Sequence, residues 1–189
     1  MNPILKLRNA AYVSRKRTVV PPTSLEVAPG ARVAQVCATA EEAQLLAMMA
    51  SALARATSGI VLIGEFDPRV QPVHCKRLAA YVPHDPLPLE EMSVERFIDY
   101  RAALWNIDAE RARAHAAILL ERLHGLHEAF AYPIVGALLA FPALLVLDRP
   151  QPAFAARILT AAGPAAVFST HLDADAAYEF TARREVAAL

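Results

Sequence analysis

The chain has 189 residues, with 19 Lys plus Arg against 19 Asp plus Glu, so its formal net charge at pH 7 is zero. That length gives one domain with a full core, or one domain with an inserted subdomain, and excludes two large domains. The charge balance argues against a nucleic-acid footprint or a membrane-surface patch, and two cysteines, Cys37 and Cys75, are too few for a disulfide framework and read as small buried residues.

The first seven residues lack the apolar run and cleavage site of a secretory signal, so a cytoplasmic location is expected. Apolar runs of strand length recur at residues 4–7, 24–27, 33–36, 60–63, 78–82, 144–147 and 165–168. Arg15-Lys16-Arg17 reads as a solvated turn, and Pro21-Pro22 and residues 83–88 as loops. Helical patterns fall between the strands. One covers residues 41–55, with Leu45, Leu46, Met49, Ala52 and Leu53 on one face and Met48 also a core contact. Others cover 93–105 and 108–123, the latter closed by Gly125, and a short one follows Pro152. Residues 134–147, interrupted by Pro142 and ending at Asp148, are too short for a bilayer span and read as a buried helix end leading into a buried strand. No membrane span is expected. His124 and His127 could form half a metal site, but no third ligand is placed to complete it, so no metal is expected.

Strands alternating with helices, the strands nearly continuous in apolar residues, indicate an α/β sheet covered on both faces. The consecutive helices between about residues 88 and 140 read as an insertion within a single domain spanning residues 1–189.

Residues 33–59 draw the frame of a phosphate-binding loop: an apolar strand, a turn and a helix ending in Thr57-Ser58-Gly59. Such a loop needs glycines so that backbone N–H groups can point inward, a lysine for the β/γ charge and a Ser or Thr for magnesium. The turn here, Cys37-Ala38-Thr39-Ala40-Glu41-Glu42-Ala43-Gln44, has no glycine and no lysine. Thr39-Ala40-Glu41-Glu42 fits a capping box, in which Glu42 reaches back to the Thr39 N–H and satisfies donors a phosphate would otherwise take.

In order, SLEVAPGARVAQV (24–36), ATSGIVLIGEFDP (56–68), RLAAYVPHDPLPLEEMSVERFIDYRAAL (77–104), FPALLVLDRP (141–150) and VFSTHLD (167–173) resemble the segments of an ABC transporter ATP-binding subunit. The helical part is most similar to cassettes of ABC-2 exporters. The resemblance covers nearly the whole chain and implies a P-loop NTPase-like α/β fold: a mixed sheet core flanked by helices, with a truncated helical subdomain.

Measured on the family's pattern, Ala43 stands at the Walker A lysine, Gln44 at the magnesium-binding hydroxyl, and Cys37, Ala40 and Glu42 at its glycines. His84 stands at the Q-loop glutamine. Asp148 keeps the Walker B aspartate, but Arg149 replaces the carboxylate that would polarise water, and a guanidinium cannot act as a base. The LSGGQ signature and the D-loop are missing, the latter replaced by Gln151-Pro152-Ala153-Phe154. His171 matches the switch histidine. Against these roles, Asp148 could merely end a strand and His171 cap the next turn. The adenine-stacking aromatic would fall near Ser14, with Tyr12 the nearest candidate, itself readable as a strand residue.

The resemblance and its departures together imply a catalytically inactive pseudo-ATPase that scaffolds or regulates an ABC-type transporter, with ATP and magnesium expected not to bind. Glu41 and Glu42 would repel nucleotide, and Arg149 is expected to pair with one of them. Expected partners are an ABC-2 permease, an intact ABC ATPase subunit or both, holding the chain at the inner membrane, with Phe97, Tyr100 and Trp105 as candidate contacts, although the three aromatics read at least as well as packing of the insertion. ATP-driven homodimerisation is not expected. The alternatives are a weak ATPase with a remodelled site built on Asp148, His84 and His171, and a stand-alone structural protein reusing the fold.

Overall fold

The computed structural model describes residues 2–85 and 92–181. It has two sheets. Strands β1 (Leu5–Ser14), β2 (Arg17–Val27) and β4 (Ser58–Ile63) form an antiparallel sheet in the order β2-β1-β4. Strands β3 (Arg32–Val36), β5 (Ala79–Val82), β6 (Leu144–Asp148) and β7 (Ala166–His171) form a parallel sheet in the order β3-β7-β6-β5.

The side-chain period of two explains the continuous apolar strands. Leu144 and Val146 of β6, with Ala166 and Phe168 of β7, face one core; Leu145, Leu147 and Val167 face another. Helix α1 (Ala40–Ala50) fills the first core, with Leu46 and Met49 packed between the two sheets. The second core lies under α5 (Glu128–Leu138), α6 (Ala155–Ala162) and α7 (Ala174–Thr181), joined by α3 (Val94–Trp105) and α4 (Ala109–Arg122). Burying each such Leu or Phe contributes about 1.5–3 kcal/mol before the entropy of ordering it is charged.

Local chemistry starts and stops the helices. Ser93 Oγ and Asp108 Oδ1 accept the Arg96 and Arg111 amides, 3.3 and 2.9 Å away, at the starts of α3 and α4. Asn106 closes α3 in the left-handed conformation that asparagine tolerates. Arg113 forks onto Asp99 and ties α4 to α3. Within α5, Gly136 leaves room for the Phe97 ring, since a Cβ there would lie 2.8 Å from Phe97 Cζ.

Several expectations are corrected. Helix α1 ends at Ala50 rather than Arg55: Ser51 Oγ bonds back to Ala47 O at 2.9 Å, and Ala52 turns left-handed at φ 61°. Leu53 therefore points to solvent, 48 % exposed, instead of into the core. Thr57 precedes β4, and Gly59 lies within it, where only a glycine fits because a Cβ would meet Asn9 O at 2.1 Å. Pro21 and Pro22 lie inside β2, tolerated because β2 is an edge strand and its outward side needs no N–H donors. Leu78 ends a short helix, α2 (Pro72–Leu78), and β5 begins one residue later. The Arg15-Lys16 turn is as expected, with both residues at positive φ joining β1 to β2. Part of the expected loop at 83–88 and the start of the helical insertion, residues 86–91, lie outside the described residues; among the described ones, α3, α4 and α5 follow without a strand between β5 and β6.

Candidate functional site

The C-terminal ends of β3, β6 and β7 meet the start of α1, the usual place for ligands in open parallel sheets. Their register is fixed by Cys37 N donating to His171 O at 2.8 Å and Arg149 N to Thr170 O at 3.0 Å.

At the α1 start, Thr39 Oγ1 accepts the Glu42 amide at 3.1 Å, the expected cap. The reciprocal half differs from expectation. Glu42 Oε2 accepts the Ala38 N–H at 3.0 Å, one residue further upstream than Thr39, so its carboxylate sits inside the turn. Glu41, exposed, forms an ion pair with Arg17 from the β1–β2 hairpin. Ala43 is fully buried against the sheet and Gln44 points to solvent.

Asp148 ends β6 and is 1 % exposed. Both of its oxygens are occupied: Arg149 Nε donates to Oδ1 at 2.8 Å and Arg149 Nη2 to Oδ2 at 3.1 Å, with Tyr81 Oη donating to Oδ2 at 3.3 Å and Thr170 Oγ1 to Oδ1 at 3.5 Å. This corrects the expected partner of Arg149. Its backbone takes φ 45°, and the side chain folds back onto the preceding residue rather than crossing to Glu41 or Glu42. Its hydrogen bonds to the Asp148 carboxylate raise the Arg149 pKa above its ordinary value. His84 Nδ1 donates to Arg149 O at 2.9 Å, so its ring holds the turn after β6.

Cys37 lies between the two acidic positions. Burial first, then Glu42 and Asp148, push its thiol up to about 12, which keeps it protonated and unreactive. Burial and then Asp148 likewise raise the Tyr81 phenol, which stays a donor. His171 does not join this group. It ends β7 with 2 % exposure, shares a 2.8 Å hydrogen bond with Ser169 Oγ and packs its ring 5.1 Å from Phe180 of α7. Burial lowers its pKa to about 4, so the ring is neutral. The next turn is capped by Asp173, whose Oδ1 accepts the Ala176 amide, and not by His171.

The three aromatic contact candidates separate. Phe97 is buried and stacks on Tyr132, which bears out its reading as packing of the insertion and not the contact reading; Tyr100 is 55 % exposed; Trp105 is half-buried with its Nε1 unpartnered among the described residues. Tyr12 is half-buried against the first core. Sequence reasoning missed Tyr81 and Thr170 as partners of Asp148. Their alternation along β5 and β7 was visible, but not which neighbour each strand would take.

No family model and no curated protein matches the sequence. Among solved structures, the chain is similar to an ATP-binding subunit of an ABC transporter, 18 % identical over 94 % of this chain and 83 % of that one, with TM-score 0.77. The fold is that of an ABC cassette. A dimeric bacterial ABC transporter cassette matches over 93 % of this chain and 91 % of its own, at 16 % identity and TM-score 0.71. The cbiO1 protein of Clostridium perfringens, part of the cbiONQ transporter complex, matches over 90 % and 79 % at 17 % identity and TM-score 0.69. At such identities the cassette fold is shared while the chemistry of each position must be argued from this chain's own residues. None of its described helices is long and apolar enough to cross a membrane.

Proposed function

We propose that this ABC-cassette-like chain is a nucleotide-independent pseudo-ATPase, acting as a scaffold or regulator of an ABC-type transporter. The observation that carries this reading is the fork of Arg149 on Asp148, which occupies both carboxylate oxygens that a cassette would turn toward magnesium. Glu42 on the Ala38 N–H supports it from the opposite side, because it fills with negative charge the donor that a phosphate oxygen would take. Ala43 supplies no ammonium, and Arg149 no base.

The residues therefore do not fit magnesium-ATP. The transporter association rests on the fold and on neighbours that are themselves parts of transporter complexes. An ABC-2 permease or an intact cassette subunit is the proposed partner, and a cytoplasmic position at the membrane follows from it.

Titration of the purified chain with magnesium-ATP by calorimetry tests this proposal. No heat is expected up to millimolar nucleotide. Binding tighter than roughly 100 μM, abolished by Asp148→Ala in a variant that stays folded, would establish the weak-ATPase alternative instead.

A further inference from the structure

A groove runs along the outer face of α4. Arg111, His115, Ile118 and Arg122 follow one another at spacings of four, three and four residues, which lines them up on one side of the helix. At one end, Phe141 stacks flat on His115, with ring centroids 4.5 Å apart, beside an apolar hollow of about 230 Å³. At the other, Ile118 and Arg122 share an open cleft of about 600 Å³ with Arg157 of α6.

Two observations mark this face as a surface meant to be covered. Phe141 is 65 % exposed and takes φ 50°, a backbone region where bulky residues are rare, so a strained position holds an aromatic ring toward solvent. Ile118, beside it, is 49 % exposed. The charge is also one-sided. Arg111, Arg122 and Arg157 have no ion-pair partner among the described residues, and Glu121 is the single carboxylate lining the groove. What sets this face apart is the clustering of three guanidiniums beside exposed apolar side chains.

We propose that this groove docks an acidic amphipathic helix of a partner protein, its apolar side on Ile118 and Phe141 and its carboxylates on Arg111, Arg122 and Arg157. The stripe from Arg111 to Arg122 covers 12 residues and so 11 helical steps, about 16 Å, which matches about three turns of a docked helix. A helix suits the face better than an added strand, because the backbone of α4 is satisfied internally and offers no strand edge. The apolar end argues for a protein over a nucleic acid. The proposal goes beyond the pseudo-ATPase reading and does not depend on whether nucleotide is excluded.

The test places the photocrosslinking residue p-benzoylphenylalanine at position 118 of the full chain in its native cells, with position 70, an exposed site elsewhere, as control. The expected result is a discrete adduct at position 118, absent at 70, whose sequenced peptide is an amphipathic helix with acidic residues on one face. Arg111→Glu together with Arg122→Glu, both exposed, is expected to reduce that adduct at least about tenfold at unchanged melting temperature. Phe141→Asn, which relieves the positive φ, is expected to weaken the adduct while the melting temperature holds or rises. Adducts identical at positions 70 and 118, no adduct at either, an adduct to a second copy of this chain or to RNA, or charge reversals without effect would each overturn the proposal. Nucleotide titration is a separate measurement, so the two readings can fail independently.

Discussion

The crevice at the strand ends and the outer face of α4 handle charge in opposite ways. In the crevice between α1 and the strand ends, Asp148, Arg149, Glu42 and Glu41 are each held by a neighbour within the chain. Along the outer face of α4, three guanidiniums stand beside exposed Ile118 and Phe141 without a carboxylate to hold them. A charge that has found an internal partner contributes to stability and closes a site, whereas one left over is available to a ligand or a second protein. The contrast inverts what the cassette fold leads one to expect, since its strand ends are where ligands usually sit.

The largest effect should come from opening the closed end. Asp148→Ala removes a carboxylate that is 1 % exposed and strands Arg149, which is itself only 15 % exposed, along with the Tyr81 and Thr170 hydroxyls. Breaking such a pair on one side is expected to cost about 2–4 kcal/mol, read as a lower urea midpoint at unchanged slope. A loss below about 1 kcal/mol would mean the fork is ornamental and the crevice is not closed by it.

His171 provides the next largest effect, through pH. Its folded pKa of about 4 lies below the ordinary 6.5, so the unfolded chain binds the proton more readily between those values. Stability is therefore full above about pH 6.5 and is lost as pH falls toward about 4, by about 3 kcal/mol. His171→Leu should flatten that part of the pH–stability curve while costing about 1 kcal/mol for the Ser169 hydroxyl left behind. An unchanged pH dependence in the variant would show that the buried imidazole does not carry it.

How much of this was legible in the sequence depends on the kind of signal. Apolar runs placed β3, β4 and β6 within about two residues at each end, and β6, buried along its whole length, announces itself by composition. Helix α2 was missed: it buries only Cys75, so no periodic stripe marks it, although Pro72 stands at its first turn. Helix α7 was missed despite Asp173 in the cap position, because its short span shows only Ala177 and Phe180 to the core. The partner of Arg149 depended on a positive φ that no neighbouring glycine or asparagine signalled. Sequence alone left Phe97 open between packing and contact because the glycine that receives it, Gly136, lies 39 residues away in sequence.

A smaller effect tests the other wall of the crevice. Glu42→Ala frees the Ala38 N–H and takes a negative charge from the α1 start, at a cost of about 1 kcal/mol. The variant should also respond to an anion. Adding inorganic phosphate is expected to raise its melting temperature and leave that of the parent unmoved, since the helix start then has a donor to offer an anion. Equal responses in the two proteins would show that Glu42 is not what keeps phosphate out.

The smallest expected effect separates closure from decoration. Arg17 reaches Glu41 across solvent, with the two side chains 67 % and 50 % exposed, so Arg17→Ala should change stability by at most about 0.5 kcal/mol, less in high salt. It should also leave the phosphate response absent, because Glu42 still occupies the Ala38 N–H. Were Arg17→Ala alone to admit phosphate, the basic hairpin tip would be part of the barrier, and the crevice would be shut by a strap that can lift rather than by the helix's own carboxylate. A surface pair of this exposure can break and re-form at little cost, whereas Glu42 is fixed by the cap that starts α1. That difference is why the closed state is assigned to Glu42 and Arg149, and why the hairpin tip should prove dispensable.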